Sequence, residues 1–232
     1  MESAILLLAA FFFLFLMSVV FHELGHAAAA WWCGDSTARD LGRITLNPIV
    51  HIDPVWSILM PIMTTVFLGF PFGGAKPVPV NPTNFRRPRR DDLIVTLAGP
   101  AANVLQAAGY ALLFHLLFGG AGWQEVARSG LGIVLVGMVF VNALLAIFNL
   151  LPVPPLDGSH VVAALLPAAV AEAYRRVGFY GILILLVLLY SANLGRYLLE
   201  GTLLSMAALG LSREVSVAAV REIFSLASQI GL

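Results

Sequence analysis

Charge is scarce in this sequence: of 232 residues, 11% are Asp, Glu, Lys or Arg, against about 25% in a soluble domain. The 13 acidic and 13 basic side chains cancel. With 59% hydrophobic residues and a mean hydropathy of +0.91, little is left for an aqueous domain beyond loops and a short C-terminal segment, and the chain reads as a membrane protein. No run of Lys and Arg is long enough for nucleic acid, which is not expected as a partner. Cysteine is limited to Cys33, which excludes an intrachain disulfide and a cysteine cage for zinc. Any metal site must use His and carboxylate ligands. The N-terminal MESAILLLAAFFFLF has no basic residue ahead of its apolar run and no small-residue cleavage pattern before FHELGH, unlike a secretory signal peptide. The first span is therefore expected to be retained.

Long apolar runs are what the sequence has in quantity. Residues 4–21 are apolar except for Ser18, and the pattern resumes through AAAAWW to residue 32, which predicts a long spanning helix. GRITLNPIVHIDP reads as loop or short strand because of its Asn-Pro and Asp-Pro steps. Residues 55–72 are apolar but broken by Pro61 and Pro71 and flanked by Pro54, then run into FGGAKPVPVNP. A half-spanning or re-entrant excursion is expected there, with its irregular backbone satisfied by protein or a wet cavity. Residues 93–118 and 130–151 predict an antiparallel pair of spans, and 177–195 a further one. Residues 198–210 form a shorter segment with Glu200 near its start. The expected fold is an all-α polytopic membrane protein, a bundle of about five to six transmembrane helices with a short re-entrant or β-like embedded segment. Residues 1–211 form one membrane domain, and 212–232 an amphipathic helix with Val217, Val220, Phe224 and Ala227 on one face.

The loops with Lys76, Arg86, Arg87, Arg89 and Arg90, and with Arg175 and Arg176, are basic, whereas 119–129 holds only Arg128. The positive-inside rule places the basic loops in the cytoplasm. With Arg39 and Arg43 also inside, the first helix enters from an exterior N-terminus. RRPRRDD reads as a solvated boundary touching anionic lipid.

Two acidic residues lie firmly in apolar surroundings, Glu23 and Asp157. An ionisable group at membrane depth costs at least a few kcal/mol and is a functional candidate by default. On a helix, His22 and His26 are one turn apart on one face and can converge on a zinc, with Glu23 beside them to deprotonate a water. By itself His-Glu-x-x-His recurs by chance; inside a membrane span it becomes informative. A catalytic zinc takes three protein ligands and a water, and Asp157 is the best third donor, since LPVPP cannot remain helical and the chain must unwind before it. The alternative for Asp157 is an Asp-Gly turn whose carboxylate caps the next helix. His51 reads either as a neighbour of the site or as a solvated or structurally bonded loop histidine, His160 as peripheral to it, and His115 as structural.

FHELGH, the GPAAN of residues 99–103 and NLLPVPPLDG together resemble the site-2 protease family of intramembrane metalloproteases. GRITLNPIVHIDP and FGGAKPVPVNP are similar to its compact bacterial and archaeal branch. There is no insertion long enough for a PDZ domain, and no C-terminal regulatory domain is expected. The resemblance implies one Zn2+ per chain on His22, His26 and Asp157, with Glu23 as general base and later proton donor. It implies a transmembrane protein as substrate, unwound at the cut, in regulated intramembrane proteolysis in the cell membrane with the active site toward the cytoplasm. By the same resemblance Asn149 contacts the substrate backbone or the oxyanion, and Asn103 binds substrate or orders that region; both asparagines also read as interhelical hydrogen bonders. AKPVPV suits pairing with an extended substrate. The competing class is a non-proteolytic membrane protein, either a metal-ion transporter or a pseudo-protease that binds partner helices. A transporter would spread ionisable groups over several spans, and every catalytic position is filled, against degeneracy.

Overall fold

In the computed structural model, which describes residues 2–68, 73–191 and 193–229, the N-terminal apolar run forms a single helix, α1 (Glu2–Cys33). Ser18, its one polar interruption, stays in the helix by returning its hydroxyl to the Leu14 carbonyl at 3.1 Å. After the short α2 (Thr37–Asp40), the Asn-Pro and Asp-Pro steps start two brief turns. Asn47 caps a 3-10 turn, Pro48–His51, and Asp53 caps a π-helical turn, Pro54–Leu59, each with proline in the first turn. Proline suits that position because its missing N–H has no helical partner there. The π turn leads into α3 (Met60–Leu68). Pro71 and Phe72 of the expected excursion lie outside the described residues. Gly73–Asn81 is extended, and no β-strand occurs among the described residues.

A 3-10 turn, Pro82–Asn84, precedes α4 (Pro88–Phe118), α5 (Trp123–Ala127) and α6 (Gly130–Asn149). Then come α7 (Asp157–Leu165), α8 (Ala168–Arg175), α9 (Gly178–Ser191), α10 (Leu194–Ala208) and α11 (Arg213–Gln229). Among the described residues three helices are long and apolar enough to cross a bilayer: α1, α4 and α6. The span expected over 177–195 stops at Ser191; its 14 residues rise only about 21 Å, short of a hydrocarbon core of about 30 Å. Asn193 then takes the left-handed conformation at φ 53°, which Asn tolerates better than most residues, and α10 leaves at 80° to α9. Counted as one broken span, that pair makes a fourth. Single helices among the described residues do not reach the expected five to six.

Two compact units divide the chain, Val19–Gly99 and Met1–Ser18 with Pro100–Leu232. In the first, Ala30, Cys33, Phe85 and Val95 form one small core, and Ala27, Ala38 and Val78 another. In the second, α6 packs on α5, α10 and α11 around Val136, Val139, Leu203, Met206, Val215 and Ala219. The buried face of α11 is centred on Val215, Ser216 and Ala219, with Val217 of the expected stripe packed at its edge. Phe224 of that stripe is 68% exposed, and the side chain of Ala227 lies outside the described residues. Arg213 gives a two-pronged ion pair to Glu200, 3.0 Å at each oxygen, joining α11 to α10.

Three polar side chains buried inside this second unit, Ser18, Asn103 and Asn142, are paired with one another. Asn142 donates to Ser18 Oγ at 3.0 Å and to the Met138 carbonyl at 2.9 Å, and its Oδ1 accepts from Asn103 Nδ2 at 3.0 Å. This joins α1, α4 and α6 where no water is available. Outward, Leu105 and Leu116 of α4 are each 74% exposed; such a surface suits lipid rather than water.

Candidate metal centre

The second half of α1 places His22 and His26 one turn apart. Their Nε2 atoms stand 3.1 Å from each other with the rings edge-on. His22 is buried and His26 half-buried. His26 Nδ1 meets the Val95 carbonyl at 2.7 Å. A carbonyl only accepts, so Nδ1 carries the proton and Nε2 keeps its lone pair, the tautomer a metal ligand needs. Two nitrogens bound to one zinc at about 2.0–2.1 Å lie about 3.4 Å apart at the tetrahedral angle. The observed separation fits with little adjustment.

The neighbouring helix makes room. A β-carbon on Gly99 of α4 would lie 2.7 Å from His22 Nε2 and 2.6 Å from His26 Cε1, so only glycine lets the α4 backbone pass the two rings. Pro100, next in the helix interior, removes the backbone donor that the Thr96 carbonyl would otherwise receive. Neither the Val95 carbonyl nor the Gly99 cradle was visible in the sequence, although GPAAN marked the place.

Glu23 turns to another side of α1. Its Oε2 accepts the Val78 N–H at 2.8 Å, which brings the AKPVPV segment to the base. That segment ends on Asp35, which is fully buried and accepts from the Thr37 hydroxyl, the Thr37 N–H at 3.1 Å, the Asn81 N–H at 2.7 Å and Asn84 Nδ2 at 2.8 Å. Burial alone raises the Asp35 carboxyl; these hydrogen bonds outweigh it and hold the group below its ordinary value. His51 is 2% exposed with Nε2 on the Thr45 carbonyl at 3.0 Å, a structurally bonded histidine.

Asp157 belongs to the second unit. It is the first residue of α7, and the N-cap is Leu156, with no side-chain cap bond. The helix N-terminus favours its negative charge. A β-carbon on the next residue, Gly158, would lie 2.6 Å from the Leu151 carbonyl oxygen, so glycine lets α7 start hard against the end of α6. His160 is exposed. Asn149, in the last turn of α6, gives Nδ2 to the Leu145 carbonyl at 3.0 Å. Asn103 is fully buried in the Ser18–Asn142 network, and His115 Nε2 donates to the Leu209 carbonyl at 2.9 Å.

Residues 117–190 match the family model of peptidase family M50. YwhC of Bacillus subtilis, provisionally named a zinc metalloprotease, is 37% identical over 185 residues, covering 79% of this chain and 81% of its own. The chain belongs to peptidase family M50. Rip2 of Mycolicibacterium smegmatis, provisionally named in the same way, is 37% identical over 188 residues, covering 80% of this chain and 68% of its own. No solved structure matches the chain. M50 is the site-2 protease family, so the chain is a multi-pass membrane metalloprotease and its chemistry is peptide hydrolysis with zinc.

Proposed function

We propose that this M50 protease is an endopeptidase that cuts other membrane proteins in or near their transmembrane segments, as a step of regulated intramembrane proteolysis. One zinc per chain is held by His22, His26 and Asp157, and Glu23 is the catalytic base. The observation that carries this reading is the convergence of the two Nε2 atoms, 3.1 Å apart, inside a 29-residue apolar helix segment with Glu23 between them in sequence. Asp157 supplies the carboxylate that a three-ligand site requires.

Zinc, when bound, brings the pKa of a water down to about 7 and polarises the scissile carbonyl. The chain's own residues do the rest. His26 is held in the right tautomer by Val95 O. The Glu23 carboxylate takes the proton from the attacking water and later delivers it to the leaving amine nitrogen. Asn149 has a second amide N–H beyond the one on Leu145, available to an unwound substrate backbone, and Asn103 orders the region through its network.

The protease lies in the cell membrane with its site toward the cytoplasm, where Arg86, Arg87, Arg89 and Arg90, all exposed, sit against anionic headgroups. Residues 1–211 act as the protease domain, with 212–232 as its C-terminal helix. In proteoliposomes the wild type is expected to hold one zinc per chain and to cut a purified transmembrane substrate. A chelator should abolish cleavage and added zinc restore it, while Asp157→Ala should lose metal. Full zinc occupancy in Asp157→Ala removes it from the ligand set, and cleavage that survives complete metal removal sinks the reading.

A further inference from the structure

The extended segment Gly73–Asn81 is fastened along one edge. The Gly74 N–H donates to the Trp56 carbonyl at 2.9 Å, and the Gly74 carbonyl accepts from Ser57 Oγ at 2.7 Å. The Lys76 N–H donates to the His51 carbonyl at 2.8 Å, and its own carbonyl accepts from Arg43 Nη2 at 2.8 Å. The Val78 N–H goes to Glu23 Oε2 at 2.8 Å. Residues 74, 76 and 78 thus share an edge, as the period of two in extended backbone requires. Ala75, Pro77 and Pro79 take the alternate positions, where the two prolines have no N–H to give; the Pro77 carbonyl also accepts from Arg43 Nη2, at 3.4 Å. Lys76 and Val78 are the only backbone donors from residue 76 to residue 79, and the second of them is committed to a carboxylate.

We propose that Val78 is a positioning residue for the base: its N–H fixes Oε2 of Glu23, so that Oε1 is the oxygen that receives the proton of the attacking water. This rests on the reading of Glu23 as the base. When that water's O–H bond breaks, the proton goes to Oε1 and the oxygen bonds to the peptide carbon. When the C–N bond breaks, the same proton passes from Oε1 to the amine nitrogen and the carboxylate returns. Throughout, Oε2 is an acceptor, first as a carboxylate oxygen and then as the carbonyl oxygen of the acid. The Val78 bond therefore survives both protonation states and restrains the side chain without taking part in the transfer. The segment is stiff enough for this: prolines flank Val78 on both sides, its side chain is 9% exposed against Ala27 and Ala38, and Arg43, which holds Lys76, is 7% exposed.

The test uses the full chain in proteoliposomes. Replacing Val78 by its α-hydroxy acid analogue turns the amide into an ester, removing the N–H and keeping the side chain; Val78→Ala keeps the N–H and trims the side chain. The ester variant is expected to lose on the order of 10- to 100-fold in kcat, with KM within about 2-fold and zinc content at the wild-type level. Val78→Ala, which keeps the N–H but loosens the packing on Ala27 and Ala38, should lose at least about 3-fold less kcat than the ester variant. Val78→Pro, which also lacks the N–H, should follow the ester; where it does not fold, the ester decides. Wild-type kcat in the ester variant overturns the proposal, as does an equal loss in Val78→Ala, which would assign the effect to packing. Failure of the base reading shows separately, as cleavage retained in Glu23→Gln.

Discussion

Gly99→Ala adds one methyl group at the point where α4 passes the two histidines. In the interior of a helix such as α4, alanine is favoured over glycine by about 1 kcal/mol, so if Gly99 were only a helix residue the variant would be neutral or more stable. The structure predicts otherwise. The added carbon would lie 2.7 Å from His22 Nε2 and 2.6 Å from His26 Cε1, where ordinary van der Waals contact begins at 3.4 Å. The rings or the α4 backbone must therefore give way by roughly 0.7 Å or more, and displacing the donors of a metal site on the order of 1 Å costs about 100-fold in activity. Support lost around a metal ligand lowers metal affinity by about 10- to 100-fold. The assay is zinc content after equilibration with a competing chelator, read beside unfolding and cleavage of a transmembrane substrate. Zinc retention and cleavage equal to wild type would mean that Gly99 does not make room for the two histidines.

Two further perturbations probe the scaffold. Asn142→Ala removes the centre of the network joining Ser18, Asn103 and Asn142. It should lower stability in detergent by about 0.6–1.7 kcal/mol, the range for interhelical hydrogen bonds, while zinc content stays at the wild-type level; unchanged stability would count against the network. For Asp35, whose folded pKa is depressed, the stabilisation is fully present above its ordinary value of 3.8 and is lost as pH falls through the lower folded value. Asp35→Asn should therefore be less stable at neutral pH and show a flatter acid limb of melting temperature against pH; an unaltered acid limb would contradict the assignment.

The parts of the site legible in the sequence were those encoded locally. His22, Glu23 and His26 lie within one turn of a helix whose greasy run is unmistakable, and the LPVPP break before Asp157 is equally local. What was not legible is held across distance: His26 meets a carbonyl 69 residues away and Glu23 an N–H 55 residues away. Backbone groups leave no mark in side-chain patterning. AKPVPV read as extended, but on the edge away from Trp56, His51 and Glu23 only Ala75 keeps an N–H for a substrate strand, since Pro77 and Pro79 have none to give. In α11 the apolar residues at 215, 217, 219 and 220 suit more than one helical face, so periodicity cannot choose between them and packing on α6 and α10 does. The break between α9 and α10 was hidden because the residues around it are apolar enough to continue a span.

The central claim, a zinc protease with Glu23 as its base, is tested most directly by Glu23→Gln reconstituted with a purified transmembrane substrate, with zinc and cleavage measured on the same sample. Gln keeps a side-chain oxygen to accept the Val78 N–H but cannot take a proton. Zinc is expected at the wild-type level and cleavage reduced by about 100- to 10,000-fold, the contribution of a general base. Cleavage at the wild-type rate would contradict it.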